Sequence, residues 1–152
     1  MSILIKATSP EISLEDLGAE FSRADIEFHG LDHSGSSYEG RVYVNNPDAD
    51  ADTDTTEESG YAGSYHIFGH GGCYFDEGHC DVQPRGPYDP RPPHELWPTR
   101  KVVIATEAIR RAVRAGSPLT VTVVPVLCAT SDKVPEDEEL PKFEMVSVIT
   151  YQ

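Results

Sequence analysis

Apolar and polar residues alternate over several short stretches of this chain, the pattern expected of half-buried β-strands. An apolar stripe at helical spacing predicts one helix over Thr106 to Ala115, and Gly116 and Pro118 end it. Thr106 is its predicted N-terminal cap. Strands are predicted at 24–29, 38–45, 61–68, 100–104, 119–127 and 142–151, with a further short edge strand at 3–5.

Six to seven strands, one short helix and long loops predict a mainly β fold, specifically an antiparallel β-sandwich. The strands at 24–29 and 38–45 flank a Gly/Ser-rich turn, which predicts that they form a hairpin. With 152 residues, the chain fits a single domain over residues 1–152 that is large enough for a real core.

Two segments interrupt the strand pattern. Residues 61–82 form a His/Cys/Gly-rich segment that begins as a strand and continues as a loop. Residues 83–98 form a proline-rich arm, since proline lacks the N–H donor that a sheet requires. Tyr88 and Trp97 are expected to pin this arm to the body of the domain.

The formal net charge of −14 argues against partners that are polyanions, so no nucleic acid and no anionic membrane surface is expected. The acidic runs at 48–58 and 132–139 are predicted to be solvated loops. No signal peptide and no membrane-length apolar run is visible, which predicts a cytoplasmic protein. A secreted origin stays open if the chain is an excised domain.

The densest chemistry lies in the segment YAGSYHIFGHGGCYFDEGHC, residues 61–80. Imidazole and thiolate groups are good ligands for zinc and copper, and glycines allow a loop to bring them together. A transition-metal site, copper or zinc, is therefore predicted. If the strand is extended, two of its histidines share one face with Phe68. The candidate ligands are His66, His70, Cys73, His79 and Cys80.

Two other interpretations of this segment stay open. A Cys73–Cys80 disulfide would staple the loop in an oxidising compartment and leave the third cysteine, Cys128, as a buried small hydrophobe. In the second alternative, the segment holds neither a metal nor a disulfide. One form of this alternative is a small thiol enzyme in which His70 or His79 activates Cys73. The remaining histidines, His29, His33 and His94, are predicted to be solvent-facing or loop residues.

Several stretches of the chain resemble the C-terminal β-sandwich domain that follows the dicopper catalytic domain in tyrosinase and polyphenol oxidase proteins. The resemblance covers about the last three quarters of the chain. It rests on GRVYVNNPDAD (40–50), YAGSYHIFGHGGC to DEGHCDV (61–82), VVIATEAIRRAV (102–113), LTVTVVPV (119–126) and FEMVSVI (143–149).

This resemblance implies an accessory domain rather than an enzyme, because the chain has one clear helix and lacks the helical bundle that holds two coppers in that family. The implied partner is a tyrosinase-like copper oxidase domain, which the accessory domain shields or supplies with copper. In the family, such domains sometimes insert an aromatic side chain into the entrance of the dicopper site. Here Tyr74 or Phe75 would be the corresponding plug.

Overall fold

The computed structural model of the protein describes residues 6–15, 17, 20–70, 84, 86–88, 90, 97–116, 118–128 and 140–152. Within these residues, seven strands and one helix follow one another along the chain. They are β1 (Ala7–Thr8), β2 (Arg23–Leu31), β3 (Tyr38–Val44), β4 (Tyr61–Ile67), β5 (Thr99–Ile104), α1 (Thr106–Ala115), β6 (Val121–Leu127) and β7 (Met145–Tyr151). The predicted strand at 3–5 lies outside the described residues.

The strands form two antiparallel sheets, which confirms the predicted mainly β fold. One sheet has the order β1-β6-β3-β4, and the other has the order β5-β2-β7. The predicted hairpin between β2 and β3 is wrong, because the two strands belong to different sheets. Their connecting turn instead carries the chain across the sandwich.

The core fills the space between the two sheets. Along β2, Ala24, Ile26 and Phe28 are fully buried and face the other sheet. The alternate residues of β2 point outward, as the period-two pattern requires. Phe28 lies at the centre, with its ring centroid 5.0 Å from that of Tyr65 and 5.4 Å from that of Phe143.

The helix begins and ends where the sequence predicts, but its start is held differently. Ala105 occupies the N-cap position without a side-chain hydrogen bond. The Thr106 hydroxyl accepts the backbone N–H of Ala24 at 3.1 Å, so it ties the helix to β2 instead of capping it. Gly116 ends the helix with φ of 67°, the left-handed conformation that glycine adopts easily. No helix among the described residues is both long and apolar enough to cross a bilayer.

The first acidic run forms an ordered loop over the outer face of the four-stranded sheet. Its acidic side chains are exposed, as predicted. Ala49 is nevertheless buried against Tyr43 and Val124 in a small second core. The Tyr43 hydroxyl donates to the carbonyl oxygen of Thr53 at 3.0 Å. The second acidic run, 132–139, lies outside the described residues.

Gly40 on β3 is covered by the ring of its cross-strand partner, Tyr65. A β-carbon at position 40 would lie 2.5 Å from Cζ of that ring. Tyr65 is 4% exposed, and its burial, together with the neighbouring Tyr38 hydroxyl, raises its pKa far above the ordinary value for tyrosine. The ring therefore fills a space that only glycine leaves open.

Replacing Gly40 by alanine is expected to lower the free energy of unfolding by about 1–3 kcal/mol, because the packed Tyr65 ring must move. Urea unfolding followed by circular dichroism measures this change. A loss below about 0.5 kcal/mol, the range of ordinary surface substitutions, would contradict the close packing of the ring on Gly40.

Candidate functional site

The backbone that follows β4 is in close contact with the turn between β2 and β3. The backbone N–H of Gly69 donates to the Ser37 hydroxyl at 2.9 Å. A β-carbon on Gly69 would lie 2.1 Å from the carbonyl oxygen of Gly35, so only glycine fits here. The next residue, His70, donates its backbone N–H to the carbonyl oxygen of His33 at 3.1 Å. This approach places two histidines from distant parts of the chain side by side.

The rings of His33 and His70 pack edge to face, with their centroids 5.0 Å apart. Nδ1 of His70 lies 3.1 Å from the carbonyl oxygen of His33. Nε2 of His33 lies 2.7 Å from the carbonyl oxygen of Trp97. A carbonyl oxygen only accepts hydrogen bonds, so each of these nitrogens must carry the proton. In the neutral rings the lone pairs are therefore on Nδ1 of His33 and Nε2 of His70.

This arrangement fits the way proteins prepare histidine as a metal ligand. A ligating histidine usually donates its other ring N–H to a carbonyl or carboxylate oxygen, which fixes its tautomer and orientation. Zinc binds imidazole nitrogen at about 2.0–2.1 Å, which places the ring centroid roughly 3 Å from the metal. Two such rings at a tetrahedral angle have centroids about 5 Å apart, and the observed 5.0 Å is compatible with this as well as with ordinary edge-to-face packing of two rings.

A negative charge lies beside this histidine pair. Asp32 accepts the backbone N–H of Ser34 at 2.9 Å and the Ser34 hydroxyl at 2.7 Å. Partial burial acts to raise its pKa, but the Ser34 hydrogen bonds and the charge of Lys142 outweigh it and lower the pKa below the usual value for aspartate. Asp32 is therefore ionised at neutral pH, and its charge favours a cation nearby.

His66 does not join this pair. It is exposed on the outer face of β4, opposite Glu39 of β3, while its neighbours Tyr65 and Ile67 point into the core. The prediction that the two histidines share one strand face with Phe68 is wrong, because β4 ends at Ile67 and His70 is held by the β2–β3 turn instead. Phe68 is on the surface, 84% exposed.

The other predicted site residues, Cys73, His79, Cys80, Tyr74 and Phe75, lie outside the described residues, as does His94. Within the part of the chain that the structure describes, no three His, Cys, Asp or Glu side chains come close enough to hold an ion. The described residues therefore supply two candidate ligands, and a complete site needs more.

Cys128 is exposed and unbonded, so the prediction of a buried cysteine is wrong. Its position follows the last residue of β6, and its backbone N–H donates to the carbonyl oxygen of Ser37 at 3.2 Å. The end of β6 and the chain after β4 thus meet the same turn, since Ser37 also accepts the N–H of Gly69.

The backbone of Trp97, near the end of the arm, contacts the candidate site. The side chain of Tyr88 is 96% exposed, so the prediction that it pins the arm is wrong. Trp97 is 65% exposed, and its carbonyl oxygen is the atom that holds the His33 ring. Sequence reasoning missed His33 as a site residue, because it is 37 positions from His70 and no local motif joins them.

A second group of charged residues occupies the outer face of β2. Asp25 is 1% exposed and accepts two hydrogen bonds from the Arg23 guanidinium, at 2.7 and 2.8 Å. Glu27 lies 3.4 Å from Arg100 and 3.5 Å from His29. His29 lies within β2 on its outer face, where its side chain is 29% exposed and contacts the Ser147 hydroxyl at 2.9 Å, so it is half-buried and only partly solvent-facing. The two arginines neutralise these buried carboxylates, which is a structural role.

No family model matches the chain, and comparison with curated proteins and with solved structures found no match either.

Proposed function

We propose that this β-sandwich is a non-catalytic domain that binds one transition-metal ion, copper or zinc, at the paired histidines His33 and His70. The observation that carries the proposal is the ring pair itself, with a carbonyl oxygen holding the N–H of each ring. Further ligands come from the sequence that follows, where three N or S side chains occur within ten residues of His70: Cys73, His79 and Cys80. His33 lies on the turn between β2 and β3, and His70 lies on the backbone that contacts this turn after β4.

We further propose that the domain works beside a tyrosinase-like copper oxidase, either shielding its active site or supplying it with copper. This part is supported by the sequence stretches that resemble the accessory domain of that family and by the two-sheet architecture. The net charge of −14 also favours the capture of a cation and the approach of a basic partner surface. Tyr74 and Phe75 remain the candidate contacts with that partner.

Single substitutions of His33 and His70 by alanine test the metal site. Each is expected to weaken copper or zinc binding by more than about 100-fold, because residues that only orient a ligand already contribute about 10–100-fold. Isothermal titration with each metal, together with native mass spectrometry, measures affinity and stoichiometry. The matched control is His66→Ala, since His66 is exposed on a different face and should leave binding unchanged.

The outcome also decides between the open interpretations of the loop. One bound metal that is lost in both variants but kept in His66→Ala supports the site. A chain that binds no metal and is two hydrogen masses lighter before reduction would contradict it and indicate a Cys73–Cys80 disulfide in an interaction domain. Selective alkylation of Cys73 at neutral pH in the metal-free chain would indicate a reactive thiol, because only a depressed thiol pKa gives that behaviour.

A further inference from the structure

The last residues of the proline-rich arm continue the pairing between β2 and β5. Leu31 of β2 is the register partner of Thr99, the first residue of β5. His33 lies two residues beyond Leu31, and Trp97 lies two residues before the start of β5, so the antiparallel pairing places them opposite each other. The hydrogen bond from Nε2 of His33 to the carbonyl oxygen of Trp97, at 2.7 Å, closes this end of the strand pair. The contact therefore links a candidate metal ligand to the start of β5.

The backbone of Trp97 is well oriented for this hydrogen bond. Pro98 follows Trp97, and a residue before proline is restricted to extended conformations, which limits the directions of its carbonyl group. The bond itself lies at the surface, where water competes for the donor and the acceptor, so its net contribution is small. The side chain of Trp97 is 65% exposed and accessible to another molecule. In the metal-free domain the link is thus well oriented but weak.

A metal ion on the His33 ring would strengthen this link. Because Nε2–H is bonded to the carbonyl oxygen of Trp97, the ligating lone pair is on Nδ1. A cation bound at Nδ1 withdraws electron density from the whole ring and makes Nε2–H a better donor. Hydrogen bonds with a charged donor are roughly twice as strong as those between neutral groups. His33 therefore connects the candidate metal site with the arm.

Thermodynamic linkage sets the size of this coupling. The hydrogen-bond partner of a ligating histidine contributes about 10–100-fold to metal affinity. Coupling between two binding equilibria is reciprocal, so the ion favours the docked position of Trp97 by the same factor. The end of the arm is then held most firmly when the metal is bound, and the metal is held most firmly when the end of the arm is docked.

We propose that His33 couples metal occupancy to the end of the arm. Binding of the ion fixes Trp97 at the start of β5, and a molecule that draws the exposed Trp97 away lowers the metal affinity of the site. This inference rests on the proposed metal site and adds a means of regulating it. The ion is retained while the hydrogen bond to Trp97 is intact and is released more easily once that bond is broken.

A zinc titration followed by NMR of isotope-labelled histidines tests the coupling, since zinc has a filled d shell and leaves the spectra sharp. Zinc should bind Nδ1 of His33, while Nε2 keeps its proton and the resonance of that proton moves downfield. Amide exchange at Thr99 should slow by about 10–100-fold relative to Ile104, at the other end of β5. His66 is the internal control, because it is exposed on a different face and its resonances should not move.

His33→Gln is the matched variant. Its side-chain amide keeps an N–H donor for the carbonyl oxygen of Trp97 but has no counterpart of Nδ1. Zinc should therefore no longer slow the exchange at Thr99 in this variant. Slowing that persists would show that the arm responds to the metal by another route, and it would overturn the coupling through His33. Circular dichroism verifies that the variant is folded.

The results separate this inference from the proposed metal site. If zinc binds Nε2 of His33, the hydrogen bond to Trp97 is broken and the coupling is overturned, although the site stands. Unchanged exchange at Thr99 while both His33 and His70 are bound to zinc would have the same meaning. If neither ring binds zinc, the proposed site fails and the coupling fails with it.

Discussion

Replacing Phe28 by alanine is expected to lower the free energy of unfolding by about 3–5 kcal/mol, the usual effect of truncating a fully buried phenylalanine. Phe28 is 0% exposed on the inner face of β2. Its ring touches Tyr65 from one sheet and Phe143 from the chain that leads into β7. The truncation therefore leaves a cavity where the two sheets meet, and neighbours held by strand pairing on both sides can close it only in part.

Phe68 provides the matched control for this substitution. It is the same residue type, but it lies just past β4 and is 84% exposed, so Phe68→Ala should change stability by less than about 0.5 kcal/mol. Urea unfolding of both variants, with a common slope, measures the difference. A Phe28→Ala loss below about 1.5 kcal/mol would contradict the central place of this ring in the core. A large loss in Phe68→Ala would show that the exposed ring has a partner.

The elements of this fold could be predicted because local patterns determine them. Alternation of apolar and polar residues marks β2, and the stripe of Ala108, Ile109 and Ala112 marks the helix. The pairing of strands could not be predicted in the same way. A Gly/Ser turn of six residues is compatible with a hairpin and also with a crossing between sheets, and only packing over the whole chain decides between them.

The residues of the candidate site are even harder to predict from local sequence than the pairing of the strands. The neighbours of His70 in sequence predict it as a candidate metal ligand, since glycines and cysteines surround it. His33 has no such context, and its role comes from the carbonyl oxygen of Trp97 and from the ring of His70, both distant in sequence. Likewise, the sequence alone does not show why residue 69 must be glycine, because the β2–β3 turn that it touches is more than thirty positions away.

Replacing Gly69 by alanine is expected to separate the two histidines and to weaken metal binding by at least about tenfold, as loss of ligand orientation generally does. The added β-carbon would meet the carbonyl oxygen of Gly35 at 2.1 Å and the carbonyl carbon of Ser36 at 2.5 Å. Both are backbone atoms, so the strain cannot be relieved by a side-chain rotation. The chain after β4 must move away from the turn, and the hydrogen bond from His70 to His33 is lost with it.

The same substitution should lower the free energy of unfolding by about 1–3 kcal/mol, the usual effect of overpacking. Gly86→Ala is the control, because a β-carbon there meets nothing within 4 Å and neither stability nor metal affinity should change. Titration calorimetry and urea unfolding of both variants separate the two effects. If Gly69→Ala is destabilised but binds metal with unchanged affinity, the His33–His70 contact is structural and the ligands lie elsewhere. Weaker binding with the fold intact would instead show that the close approach at Gly69 holds the two imidazoles in place for the ion.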